Sequence, residues 1–415
     1  MFNLKSLAMV KLLSQETPDS LSLEEIEAKI RQGLDQQRAE KNIAGKKIGV
    51  LAGSRGIRNI QHIIKAVVKY LQEYGAEVVI LPAMGSHGGA TAEGQLSLLA
   101  HYGISEKEIG VPVVSTMEVA TIGDINGHPV FVNRPVLDLD WIVPVNRIKA
   151  HTDYHGPFES GLIKMLVIGM GKRAQAEAVH QHGISGLRDL IPQVAKKVLE
   201  RVPLFGAVGI VENKWDETAM IEVLNAENLF AREGELLQRS KDMLPKIPVG
   251  NLDVLVVAQM GKNISGVGID PNVTGRMRIN GTPDEDFTAK RIVVLDLTDE
   301  SEGNALGMGI ADVMTRRLYN KVDMQKTYIN TITSGFVERC FIPVVAESDE
   351  EAVRIAVQTC GRVVTAENVR IAVITNTLDL STIYISPALK AETPAGYTVV
   401  EQKDKLFDES GDFIQ

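Results

Sequence analysis

Cysteine is almost missing from this chain: there are two, Cys340 and Cys360, with no metal-type spacing between them. That excludes a disulfide scaffold and a cysteine-based zinc or iron–sulfur site, and it suits a reducing compartment. Aromatic residues make up only 5%, so the core has to be built from Val, Ile, Leu, Met and Ala. No apolar run approaches the roughly 18 residues that a membrane-spanning helix needs. The opening stretch MFNLKSLAMVKLLSQETPDS is mildly apolar but lacks a signal-peptide core with a small-residue cleavage site. No Lys/Arg cluster stands out and the formal net charge is −9. Binding nucleic acid requires a basic face to neutralise phosphates, so that partner class is excluded. Repeats and low-complexity tracts are also lacking. These absences predict a cytoplasmic protein with no membrane or nucleic-acid partner.

What is present is ordinary globular material: 415 residues, 44% apolar and 23% charged, enough for two or three domains. Ser22 to Glu25 reads as a capping box opening a helix to about Gln36. KIGVLA, 47–52, reads as a buried strand. Residues 59–74 place Ile60, Ile63, Ile64, Val67, Val68 and Leu71 on one helical stripe, stopped by Gly75. A strand at 78–81 and a helix at 91–102 follow. Continuous apolar strands between amphipathic helices predict an α/β fold of mostly parallel sheet flanked by helices. The rhythm returns with strands at 253–258, 291–297 and 369–375 and a helix at 349–360. A polar helix at 225–241 and the breaker MLPKIPVGNL lie between. We therefore expect two domains, 1–247 and 248–415, with ligands near the carboxyl ends of strands.

Histidines collect at those strand ends. His87, in MGSHGGATAEG, follows a strand and precedes a helix start. Flanking glycines let backbone N–H groups approach a ligand, although a capping role would give the same pattern. His151 follows the strand 141–145 in NRIKAHTDYHGPFESGLIKM, beside Arg147, Lys149, His155 and Lys164. Lys164 sits in the apolar run GLIKMLVIGMGK. There it is either a desolvated nucleophile or a lysine reaching out to water. His180 and His182 in AEAVHQHG cannot share a helical face, so one of them points inward. No HExxH motif is present, which argues against a zinc protease.

The order strand–SHG, strand–xxH, SGxxK and a histidine sixteen residues after the lysine resembles the nickel-pincer-nucleotide-dependent lactate racemase family. The matching segments run from about residue 50 to 265. The resemblance implies that Lys164 is bonded covalently to the nickel-pincer nucleotide and that His180 ligates its nickel. It further implies that His87 and His151 are the paired acid/bases and that Ser86 and Gly88 lie against the cofactor. Gln259 and Lys262, in QMGK, resemble the family's substrate-contacting Gln-x-x-Lys. Its implied reaction is racemisation or epimerisation of a 2-hydroxy acid by hydride transfer to and from the nucleotide, in a cleft between the domains. Proteins that make the pincer cofactor would be maturation partners.

This chain departs from the family at two places. The histidine expected ten residues before the lysine is Tyr154 here. His151 is favoured because it follows the strand directly, with His155 in reserve. The family's Asp-x-Thr-Arg-Pro is replaced by AGSRGIRN, where Arg55 or Arg58 can supply the carboxylate-binding arginine. Competing readings are a histidine-liganded metal hydrolase, a non-catalytic small-molecule-binding protein, and an isomerase using Lys164 as a proton-abstracting base.

Overall fold

A computed structural model of the chain describes residues 4, 7–54, 56–403 and 405–413. The chain's first strand, β1 (Met9–Ser14), belongs to a unit formed by Met1–Thr17 with Leu244–Gln415, and Pro18–Met243 form a second unit. The sequence reading had placed residues 1–17 with the N-terminal domain. β1 is six residues long, too short to declare a period, and its partners lie at the far end of the chain.

In the Pro18–Met243 unit, β2 (Lys47–Ala52) and β3 (Glu77–Pro82) are followed by a separate hairpin, β4 (Val119–Ile125) and β5 (His128–Asn133). Then come β6 (Trp141–Arg147), β7 (Ala207–Glu212) and β8 (Thr218–Leu224). The main sheet runs β3-β2-β6-β7-β8. Its first four members are parallel, and β8 is antiparallel to β7. Strand residues alternate between two cores. Ile48, Val50, Val143, Val145, Val208 and Ile210 enter one core. Leu51, Ile142, Ala207 and Val211 enter the other. Burial on both faces is why these strands read as unbroken apolar runs.

Two helices show how local sequence sets this framework. In Leu23–Arg38 the Ser22 hydroxyl accepts from the Glu25 N–H at 3.2 Å, and the Glu25 carboxylate accepts from the Ser22 N–H at 2.8 Å. This completes the expected capping box. Ile60–Glu73 buries Ile63, Ile64, Val67, Val68 and Leu71 against the sheet, each worth about 1.5–3 kcal/mol relative to exposure. Because β2, β3 and β6 are parallel neighbours, the loops leaving their carboxyl ends emerge along one edge. Those loops carry Ser54, Ser86–Gly88 and His151.

The other unit is also α/β. Its further strands are β9 (Val254–Met260), β10 (Arg291–Leu297), β11 (Val313–Thr315), β12 (Val344–Ala346), β13 (Ile371–Ile374), β14 (Thr382–Ile385) and β15 (Tyr397–Lys403). The sheet order is β12-β11-β10-β9-β13-β14-β1-β15. The strands from β12 to β13 are parallel, whereas β14 and both contacts of β1 are antiparallel. Among the described residues no helix is long and apolar enough to cross a membrane.

Candidate active site

The loop after β3 is shaped by close backbone approach. Gly85 and Gly88 have φ of +61° and +66°, a region favouring glycine. A Cβ on Gly94 would overlap the Gly88 carbonyl oxygen, so the loop folds back onto the first turn of helix Ala92–His101. Thr91 caps that helix, its hydroxyl accepting from the Gly94 N–H at 3.0 Å. Ser86 and His87 stand exposed at the turn. The His87 Nδ1 meets the Ser54 hydroxyl, which comes from the loop after β2. Below, the Gly85 N–H donates to the Gly169 carbonyl at 3.0 Å, tying this loop to the segment that carries Lys164.

That segment is built around two buried carboxyl groups. Glu159 is 1% exposed. Its carboxylate accepts from the His151 N–H at 2.6 Å, the Gly156 N–H at 3.1 Å, the His155 Nδ1 at 3.3 Å and the Lys241 ammonium at 2.7 Å. Burial pushes the Glu159 carboxyl up, but the bonds from His155, Lys241 and the His151 backbone outweigh it and hold it below its usual range. The loop 151–156 is thereby folded around one anion.

Glu233, from helix Leu229–Asp242, reaches the start of the short helix Leu162–Lys164 and accepts from the Ile163 N–H at 2.9 Å. A Cβ on Gly161 would overlap this carboxyl group, so only glycine lets it reach the amides. Burial pushes Glu233 up to about 8. The chain then continues through a π turn, Met165–Gly169, into helix Lys172–His180.

These supports bring three of the expected residues together. The Lys164 Nζ lies 2.7 Å from the His151 Nε2 and 5.7 Å from the centre of the Tyr154 ring. The Asp153 N–H donates to the His151 Nδ1 at 3.1 Å, fixing the ring so that Nε2 faces the lysine. Lys164 is half-buried, between fully buried Leu162, Ile163, Met165 and Leu166. His180 ends its helix with an exposed edge. Desolvation of its ring, and then the charge of nearby Lys164, hold its pKa below the ordinary 6.5, against the opposing pull of Asp153. His180 is thus within electrostatic reach of Lys164 and is biased to the neutral imidazole. His182 packs instead on His128, with ring centres 4.3 Å apart. His155 turns to Glu159.

The remaining candidates lie elsewhere. Arg55 falls outside the described residues. Arg58 is exposed, and its backbone N–H donates to Glu212 at 2.6 Å, a carboxylate that also pairs with Arg147. Gln259 and Lys262 belong to the other unit. Gln259 is half-buried at the end of β9, and the Lys262 Nζ donates to the Gly266 carbonyl at 2.5 Å and the Asn330 side chain at 2.6 Å. Among the described residues no group of three or more His, Cys, Asp or Glu is placed to hold a metal ion. The sequence reading missed Ser54, Glu159 and Glu233. Ser54 follows a strand end and could have been suspected on that ground, but nothing local marks the two buried acids.

Residues 2–188 match the family described as the lactate racemase N-terminal domain. That stretch, a little under half of the chain, resembles a lactate racemase N-terminal domain. No curated protein matches its sequence. Among solved structures it is similar to the lactate racemase apoprotein from Thermoanaerobacterium thermosaccharolyticum, with 12% identity, a TM-score of 0.55, and coverage of 89% of this chain and 98% of that one. At that identity the likeness establishes a shared α/β fold. The family match supports a racemase-type activity.

Proposed function

We infer that the protein is a 2-hydroxy acid racemase or epimerase that works through a nickel-pincer nucleotide tethered to Lys164. The observation that carries this reading is the contact of the Lys164 amine with His151, with a neutral-biased His180 close by, in a chain that resembles this family. The donor set suits such a group. A half-buried primary amine can form the tether, and the His180 imidazole can complete a metal held mainly by the nucleotide's own sulfur and carbon atoms. Exposed Ser86 borders the same edge.

Inverting a 2-hydroxy acid requires its α-hydrogen to leave one face and return to the other. The nucleotide, when bound, supplies a reversible hydride acceptor. The protein's part is proton handling and orientation. One of His87 and His151 takes the hydroxyl proton as the α-hydrogen departs, leaving a planar 2-keto acid, and the other gives a proton back when hydride returns on the opposite face. Imidazoles suit this because they titrate near neutrality and act in both directions. Ser54 and the Asp153 N–H orient the two rings. Arg58, exposed near this edge, is the described arginine available for bidentate recognition of the substrate carboxylate. The roles of Gln259 and Lys262 as substrate contacts, and of pincer-making proteins as maturation partners, rest on the family resemblance.

The deciding experiment is turnover in heavy water after co-expression with the pincer-making enzymes. Lactate, malate, longer hydroxy acids and sugar acids are screened first. The expected result is inversion with protium retained at the α-carbon. Deuterium entering that carbon at the rate of inversion overturns the hydride route in favour of proton abstraction.

A further inference from the structure

Lys172 is the least expected residue in the Pro18–Met243 unit. It is 0% exposed and has φ of +57°. Glycine would suit that backbone and an apolar side chain would suit that burial; a lysine suits neither. Among the described residues no carboxylate lies within ion-pair reach of the ammonium. It donates to the Pro82 carbonyl, at the end of β3, at 2.7 Å and to the Gln95 Oε1 at 2.7 Å. Gln95, on helix Ala92–His101, is also 0% exposed. Its amide nitrogen donates to the Gly85 carbonyl at 2.9 Å and the His87 carbonyl at 3.3 Å. Lys172 thus ties the end of β3 to the Gln95 side chain, and the Gln95 amide carries that tie on to the backbone of the Gly85–Gly88 loop.

We propose that Lys172 and Gln95 act as a positioning pair for His87, a buried strut that joins the first residue of the His180 helix to the Gly85–Gly88 loop. The pair touches no reacting atom. It acts by fixing the carbonyls on either side of Ser86, so that the exposed imidazole is held from beneath while Ser54 holds it from the side. The catalytic meaning of this placement rests on the racemase reading, but the placement itself does not. Burial lowers the Lys172 ammonium to about 8. Two N–H donors remain after the proton leaves, so the strut holds on both sides of that pH.

Two substitutions separate positioning from plain stability. Gln95→Glu keeps the size of the side chain and a partner for Lys172, but turns a carboxylate oxygen towards the Gly85 and His87 carbonyls. Lys172→Met removes the other end. The full-length protein is labelled with ¹⁵N-histidine, and the His87 resonances are assigned by their disappearance in His87→Asn. In the native protein the two ring nitrogens should be well separated, reporting one tautomer held by Ser54. In both variants that separation should collapse towards the tautomeric average while His62 and His101 keep their positions. Amide hydrogen exchange in the peptide spanning 84–90 should accelerate at least tenfold, with β9 unchanged. Native His87 resonances and native exchange in either folded variant overturn the proposal, even if the melting temperature falls. Should Lys172→Met fail to fold, Gln95→Glu decides alone. Neither readout uses turnover. A failed racemase reading would appear as an inactive native protein with the strut intact, and a failed strut as undisturbed His87 signals.

Discussion

Substituting Glu233 by glutamine tests the electrostatics under the Lys164 helix. The carboxyl is 1% exposed and accepts from the Ile163 N–H at 2.9 Å. Burial raises it from an ordinary 4.5 to about 8, and the backbone bonds from Ile163 and Leu162 only partly offset that. Its folded pKa lies above its unfolded one, so the native state holds the proton more tightly. The stability this confers is fully present below pH 4.5 and is lost as pH rises through about 8. At about 1.4 kcal/mol per pH unit, this single group should remove about 4–5 kcal/mol across that window.

Glutamine keeps the acceptor oxygen and cannot ionise, so Glu233→Gln should be within about 1 kcal/mol of the native protein near pH 5 and clearly more stable at pH 9. Both tryptophans, Trp141 and Trp215, lie in the Pro18–Met243 unit. Urea unfolding followed by intrinsic fluorescence therefore reports the right unit. The expected result is a difference between variant and native protein that widens with pH. Parallel stability profiles from pH 5 to 9 would refute the reasoning, because they would mean that the carboxyl is already ionised in the folded state at little cost.

Lys164→Ala should abolish the covalent adduct seen by peptide mass spectrometry in cofactor-loaded protein, and an adduct on another lysine would refute the tether. His180→Ala should lose nickel on gel filtration followed by metal analysis while His182→Ala, whose ring lies on His128, retains it; the reverse pattern would exchange their roles. Glu159→Gln should destabilise the Pro18–Met243 unit by about 2–3 kcal/mol, less than a fully buried pair costs because Lys241 still reaches water. A urea midpoint unchanged by that substitution would show that the Glu159 charge does not organise the 151–156 loop.

Period and punctuation made much of the fold legible. The strands 47–52 and 291–297 end where the apolar runs end, and the Ser22–Glu25 box opens its helix, because these signals are local. Harder to read were β1 and β15, whose pairing with each other joins residues hundreds of positions apart. The site divides in the same way. Spacing and residue type marked His87, His151, Lys164 and His180. Nothing near Glu159, Glu233, Gln95 or Lys172 in sequence says that they are buried, since the partners that make their burial tolerable come from other elements. For Lys172 even the backbone signal pointed elsewhere, because a positive φ is ordinarily the province of glycine.

The place of β1 bears on how the molecule is made. Leu12 pairs with Ile383 on one side and Val399 on the other, so the strand leaves the ribosome long before either neighbour exists. Pro18–Met243 can close its own sheet during synthesis, whereas the larger sheet cannot be completed until nearly the whole chain has emerged. Such long-range pairing is slow to form, and in the interval an apolar strand waits with both edges unpaired. A fragment starting at Leu244 would lack the strand that separates β14 from β15, leaving β14 as an exposed edge and β15 without its partner. Supplying Met9–Ser14 in trans, as a peptide or as a fused segment, should restore the order that the ribosome delays.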